Sequence, residues 1–202
     1  MAGGIRTPDL RIRHDEAMTT SIFVSRPTSG DVVDLILEDH RLFESLMREM
    51  RDSSSDREAA RQAFADVLVA HGEAEEQKVY PRLRRKQAID AELQEHGEEE
   101  HAEINEALLA LMECKGTDTQ KFEDAVEKMN EVLQHHLTEE ELSILNPARE
   151  EVDEAERTRL GEAFLKARSA HLDQRAGSLD NVRRLVEEAY EKGLLPAEEE
   201  DS

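Results

Sequence analysis

Four stretches of the chain repeat apolar residues at alternating spacings of three and four, the period of a helix with one buried face. The first begins at Ser29-Gly30-Asp31, which offers N-capping groups, and runs to about Arg51 with the stripe Val33, Ile36, His40, Phe43, Met47, Met50. The second, from about Asp56 to Lys86, reads Phe64, Val67/Leu68, His71, Glu75, Val79, Leu83, and Pro81 near its end predicts a kink or break. The third, from about Asp90 to Lys115, reads Gly97, His101, Ile104, Leu108, Leu111 and stops at Gly116-Thr117-Asp118. The fourth, from about Thr119 to Leu145, reads Met129, Val132/Leu133, His136, Glu140, Ile144 before Asn146-Pro147 interrupts it. Long segments with short connections predict antiparallel neighbours, hence an all-α, up-down antiparallel four-helix bundle over residues 31–150. Two further helical stretches, about 151–173 and 179–192, are parted by Ala176-Gly177-Ser178. Their stripes Leu160/Phe164 and Val182/Leu185/Val186 predict that residues 151–202 form additional C-terminal helices packed on the bundle. Residues 1–30 carry Arg6, Arg11, Arg13, Arg26, Pro8 and Pro27 with no helical period, and are read as a disordered tail. Met18 is a second candidate start, which would leave residues 1–17 untranslated.

Composition agrees with the period: 37% of residues are charged, 3% aromatic, and Gly and Pro number only 9 and 5, too few for a turn-rich sheet protein. The formal net charge of −22 argues against nucleic acid and anionic membranes as partners, because both are polyanions. No apolar run approaches the ~20 residues of a membrane span, and a cytoplasmic location is expected. The single Cys114 excludes an internal disulfide and suits a reducing compartment. It also excludes zinc ribbons and iron–sulfur clusters, which need several thiolates, so any metal must use His and carboxylate.

Each of the four stripes is interrupted by one histidine, and the second and fourth add a glutamate one turn later. A lone histidine on an apolar face is more often a buried, hydrogen-bonded core residue. Four such histidines and two carboxylates in one core change the weighing, because each unpaired group costs several kcal/mol. A metal compensates that cost. Residues four apart on a helix are separated by a rise of about 6 Å and a turn of about 40°, so both reach the same ion or ion pair. Imidazole and carboxylate together suit iron, manganese or zinc rather than Cu(I) or calcium. The second and fourth helices also read as copies of one half-site: His71-Gly72-Glu73-Ala74-Glu75-Glu76 aligns with His136-Leu137-Thr138-Glu139-Glu140-Glu141, with Pro81 and Pro147 following. His135 and Glu139 also stand four apart, but the repeat and the stripe through Met129 and Leu133 favour His136 and Glu140.

The order His, His-x-x-x-Glu-Glu, Glu-His, His-x-x-x-Glu-Glu on four successive helices resembles the hemerythrin-like (HHE cation-binding) family. The stretches that carry it are Glu38-Asp39-His40, His71 to Pro81, Glu99-Glu100-His101-Ala102-Glu103-Ile104, and His136 to Pro147. The resemblance implies a non-haem centre of two iron ions joined by an oxo or hydroxo bridge. His40, His71, His101 and His136 would be terminal ligands, with Glu75 and Glu140 bridging. It implies small ligands such as O2, peroxide or NO, for binding, sensing or detoxification. The oxygen carriers of the family place a His-x-x-x-His pair on the third helix, whereas the position four before His101 is Gly97 here. His96, five before His101, points about 140° away and would join only through a local helix distortion. Six shared ligands leave each iron an open position, which favours peroxide or NO chemistry, and a weak peroxide-decomposing activity, over reversible oxygen carriage.

Two other classes compete. A metal-regulated helical interaction module would use the site to control folding and the C-terminal helices to bind a partner. A phosphotransfer bundle needs one solvated histidine beside a lysine, unlike four facing the core. The runs Glu98-Glu99-Glu100, Glu139-Glu140-Glu141 and Glu198-Glu199-Glu200 are read as solvated helix faces, Glu140 excepted by its phase. Arg82, Arg84, Arg85 and Lys86 offset the end of the second helix, and His14, His135 and His171 are expected on the surface.

Overall fold

The computed structural model describes residues 12–14 and 20–196, with side chains from Ile22 onward. Arg6, Arg11, Met18, Glu198-Glu199-Glu200-Asp201 and the side chain of His14 lie outside the described residues. Among the described residues the fold is all-α apart from a short ribbon in which Ile12–His14 (β1) pairs antiparallel with Thr20–Ile22 (β2).

The long helices start where the sequence supplies an acceptor for a free backbone N–H. Asp31 caps α1 (Val32–Arg51) through Val33 N–H at 3.0 Å, and Asp56 caps α2 (Arg57–Ala74) through Ala59 N–H at 3.0 Å. Here α2 does not end. A π-turn, Glu75–Val79, joins it to α3 (Tyr80–Arg85). Asp90 caps α4 (Ala91–Met112) and Thr119 caps α5 (Gln120–Glu140), which runs through a second π-turn, Glu141–Leu145, into α6 (Asn146–Glu151).

The two π-turns correct the expected breaks at Pro81 and Asn146-Pro147. Proline lacks an N–H and its ring crowds the carbonyl four residues back, which ends an ordinary helix. A turn widened by one residue lets the chain pass the ring, with Tyr80 N–H reaching Glu75 O and Asn146 N–H reaching Glu141 O. The helices continue, rotated by one residue.

Apolar side chains gather in two clusters. One holds Phe43, Leu46, Met47, Phe64, Val67, Leu108, Leu111, Phe122, Met129 and Leu133. The other holds Val33, Ile36, Val79, Tyr80, Leu83, Ile144, Leu160 and Phe164. His40, His71, His101 and His136 each fall in sequence between the parts of their helix that feed the two clusters. The polar centre is therefore sealed above and below by hydrocarbon.

After α6 the chain adds α7 (Glu154–Asp173), which packs along α1 and α2, and α8 (Leu179–Lys192), which packs on α4. At the bend between them Gly177 donates its N–H to Asp66 Oδ1 at 3.0 Å, and a Cβ there would stand 2.2 Å from the α2 backbone. Only glycine allows that approach. Among the described residues no helix is long and apolar enough to cross a membrane.

Candidate metal centre

The six ligands expected from sequence converge, and each is at most 5% exposed. Two groups of three have their ligating atoms within 4.8 Å of one another: His40, His71 and Glu140, and Glu75, His101 and His136. The carboxylates connect the groups. Glu75 Oε2 lies 3.1 Å from His71 Nε2 and 3.5 Å from His101 Nε2. Glu140 Oε2 lies 3.1 Å from His40 Nε2 and 3.7 Å from His136 Nε2. Each glutamate thus stands between a histidine of its own group and one of the other.

All four imidazoles are oriented from behind. His71 Nδ1 donates to Asp39 Oδ2 at 3.1 Å, His101 Nδ1 to Glu76 Oε1 at 2.9 Å, His136 Nδ1 to Glu100 Oε2 at 3.0 Å, and His40 Nδ1 to Glu141 Oε1 at 2.9 Å. These bonds form a closed ring: α1 supports the histidine of α2, the turn after α2 supports α4, α4 supports α5, and the turn after α5 supports α1. Each outer carboxylate is the sequence neighbour of an inner residue, in Asp39-His40, Glu75-Glu76, Glu100-His101 and Glu140-Glu141. A carboxylate on Nδ1 fixes ring and tautomer so that Nε2 faces inward, the second layer typical of metal-bound histidine. Glu100 and Glu141, read from sequence as solvated, therefore have specific partners, because the helix turns both toward a neighbouring histidine.

Several inner atoms have no hydrogen bond among the described residues: His71 Nε2, His101 Nε2 and both carboxylate oxygens of Glu75. His71 Nε2 and Glu75 Oε2 are close but misaligned for one. Buried, unpaired donors and acceptors of this kind cost about 1–3 kcal/mol each, and four on one point are what a cation would satisfy. The residues fit a metal. Without one, protons substitute. Burial disfavours the imidazolium of His40, yet Glu140 and Glu141 overcome it and push its pKa to about 10. Burial likewise opposes charge on His71 and His101, and the adjoining carboxylates raise both. Burial would raise Glu75, but the facing imidazoles hold it well below the usual carboxylate range.

Three contributors were not read from sequence. Tyr80 is fully buried, donates its hydroxyl to Glu140 Oε1 at 3.1 Å, and stacks on His101 with ring centroids 5.8 Å apart. Burial and the carboxylates of Glu140 and Glu75 raise its pKa well above 10, so the proton stays on the phenol. Its ring lies over Gly97, where a Cβ would meet Tyr80 Cε2 at 3.1 Å. From α7, Arg168 pairs both its Nε and its terminal nitrogen with Asp39, at 2.6 and 2.7 Å, and Phe164 packs perpendicular to the His71 ring with centroids 5.7 Å apart.

His96 and His135 stay outside the inner set, with side chains 51% and 65% exposed, and α4 is an undistorted helix through His96. A cavity of about 20 Å³ between α2 and α4, lined by Phe43, Gly72, His71, His101 and His136, leaves room for about one small molecule beside the centre. No curated protein and no solved structure matches the chain. The family model of the hemerythrin HHE cation binding domain matches residues 31–148, more than half of the sequence, and spans all six inner residues. With that match over the helices that build the centre, the chain belongs to the hemerythrin family of HHE cation-binding domains.

Proposed function

We propose that His40, His71, His101, His136, Glu75 and Glu140 hold two iron ions inside an up-down antiparallel four-helix bundle, and that the loaded centre reacts with O2, peroxide or NO. The observation that carries this is the closed ring of carboxylates, which turns four Nε2 atoms onto two buried glutamates. The long segments feed the two apolar clusters in alternating order along the chain, which supports the up-down reading. Glu75 and Glu140 each stand near histidines of both groups, which supports bridging roles. The donor set alone suits iron, zinc or manganese, and the family favours iron.

Bound iron would supply electrons and open positions to a small oxidant. The chain does the rest. Phe43 and Phe164 pack perpendicular to the His71 ring, with centroids 5.0 and 5.7 Å away, and fix its plane with hydrocarbon. The outer carboxylates hold the Nδ1 protons, and the Tyr80 hydroxyl, its oxygen 3.1 Å from Glu140 Oε1, donates its proton there. The small cavity, about 20 Å³, has the scale of a ligand of one or two heavy atoms, as O2, peroxide and NO are.

Metal analysis and an absorption spectrum of the iron-reconstituted protein test this, followed by peroxide addition. Two irons per chain with iron-ligand bands in the near ultraviolet are expected. Peroxide loss with O2 release would assign the peroxide-decomposing activity. Two irons with no reaction toward O2, peroxide or NO would leave the metal-regulated interaction module. No bound metal with helicity intact overturns the reading.

A further inference from the structure

His96, Glu100 and His135 form a second constellation, on the outer surface of α4 and α5. His96 and Glu100 are four residues apart on α4 and share a face, and His135 approaches Glu100 from α5. His96 Nε2 lies 3.8 Å and His135 Nε2 3.6 Å from one atom, Glu100 Oε1. Both separations are too long for a hydrogen bond. They are close to the ~3.4 Å between two atoms that share a tetrahedral ion at bond lengths of about 2.0–2.1 Å.

Glu100 supplies an independent observation. The residue is only 7% exposed, and its Oε2 is taken by His136 Nδ1. Its Oε1 is buried, points toward the two exposed imidazoles, and has no hydrogen-bond partner among the described residues. A carboxylate oxygen in that state leaves a cost that a bound cation would remove. The imidazole nitrogens of His96 and His135 stand more than 4.8 Å from each other, and both side chains are exposed and free of the core, so rotation brings them onto a shared ion.

We propose that His96, Glu100 and His135 form an outer site for one divalent transition cation, with water completing the shell. Two imidazole nitrogens and one carboxylate oxygen suit Fe(II), Co(II), Ni(II) or Zn(II) and not calcium or magnesium. The surface is strongly acidic, with a formal net charge of −22, and concentrates cations around it. Glu100 belongs to both places, one oxygen facing the outer site and the other holding His136. If the inner centre is a metal site as proposed above, the outer one is where an arriving ion first meets chain ligands.

The test is a Zn(II) titration followed by calorimetry, on the wild-type chain and on the His96→Ala/His135→Ala double variant. Glu100 is left in place so that His136 keeps its support, and both substituted side chains are exposed, so circular dichroism should be unchanged. The wild type is expected to bind one more equivalent than the double variant, and each single variant should weaken that class at least tenfold. His171→Ala, a surface control, should change nothing. Identical isotherms for wild type and double variant overturn the proposal, as does an equal loss in the His171→Ala control. The inner reading fails separately: a chain with no inner metal would still lose one equivalent in the double variant.

Discussion

His71 and His136 occupy equivalent places in the two half-sites, and each donates Nδ1 to a carboxylate, yet the two carboxylates differ in everything behind them. Asp39, behind His71, has both oxygens bound by Arg168 and is closed over by α7. Glu100, behind His136, has one oxygen with no hydrogen bond among the described residues, and it faces the exposed His96 and His135. The same local motif is thus dry and clamped on one side, and open toward solvent on the other. The difference comes from where the C-terminal helices lie: α7 covers the α1–α2 face, whereas α8 covers another part of α4. One carboxylate is held by a buried guanidinium, and the other faces exposed histidines.

The strongest way to break this contrast is Arg168→Ala. It would leave Asp39 buried with its charge uncompensated, and removing one partner of such a pair costs about 3–5 kcal/mol. Burial already opposes the Asp39 carboxylate, and Arg168 and His71 are what keep its pKa low. Chemical denaturation of the metal-free chain should show a loss of that size. A change below 1 kcal/mol would mean that α7 merely covers the centre.

Alkaline pH should act next, through the buried imidazoles. His40, His71 and His101 have raised folded-state values, against 6.5 unfolded. Their contribution is complete below pH 6.5 and is lost as pH rises, for His40 toward about 10. Glu75 and Asp39 are lowered from 4.5 and 3.8, so theirs is present above those values and lost in acid. The metal-free chain should therefore be most stable between about pH 4.5 and 6.5 and weaken above it. Metal needs neutral imidazole, so metal affinity should rise over the range where metal-free stability falls. Denaturation midpoints and Zn(II) affinity at pH 6, 7 and 8 check both slopes, and parallel slopes would contradict the proton-for-metal exchange.

The inner residues were legible because an α-helical period places His71 and Glu75, or His136 and Glu140, on one face without knowledge of neighbours. The outer carboxylates were half legible. Asp39, Glu76, Glu100 and Glu141 each sit next to an inner residue, but each serves a histidine on another helix, and a single stripe does not show which. Tyr80 was not legible for a definite reason. Nine residues after His71 it falls on the opposite face of an ideal helix, and only the π-turn at Glu75–Val79 rotates it into the centre. The two prolines marked those turns, but a proline reads more readily as a break. Arg168 was hidden because nothing local distinguishes it from a surface arginine of α7.

The smallest effect belongs to Tyr80, which holds an oxygen of the inner Glu140 much as Arg168 holds the outer Asp39. Its hydroxyl occupies Glu140 Oε1, whereas both oxygens of Glu75 are unbonded among the described residues, so the two bridging candidates are not equivalent. Tyr80→Phe keeps the ring on His101 and over Gly97 and removes only the donor. A buried acceptor left without its partner should cost the metal-free chain about 1–2 kcal/mol. In the iron-loaded chain the freed oxygen can turn toward the metal, so the cost should shrink and the near-ultraviolet bands should shift. Equal destabilisation with and without iron, and an unchanged spectrum, would show that Glu140 Oε1 never turns inward and that the phenol fills space. A smaller loss with iron, together with shifted bands, would show that one hydroxyl keeps the two glutamates different.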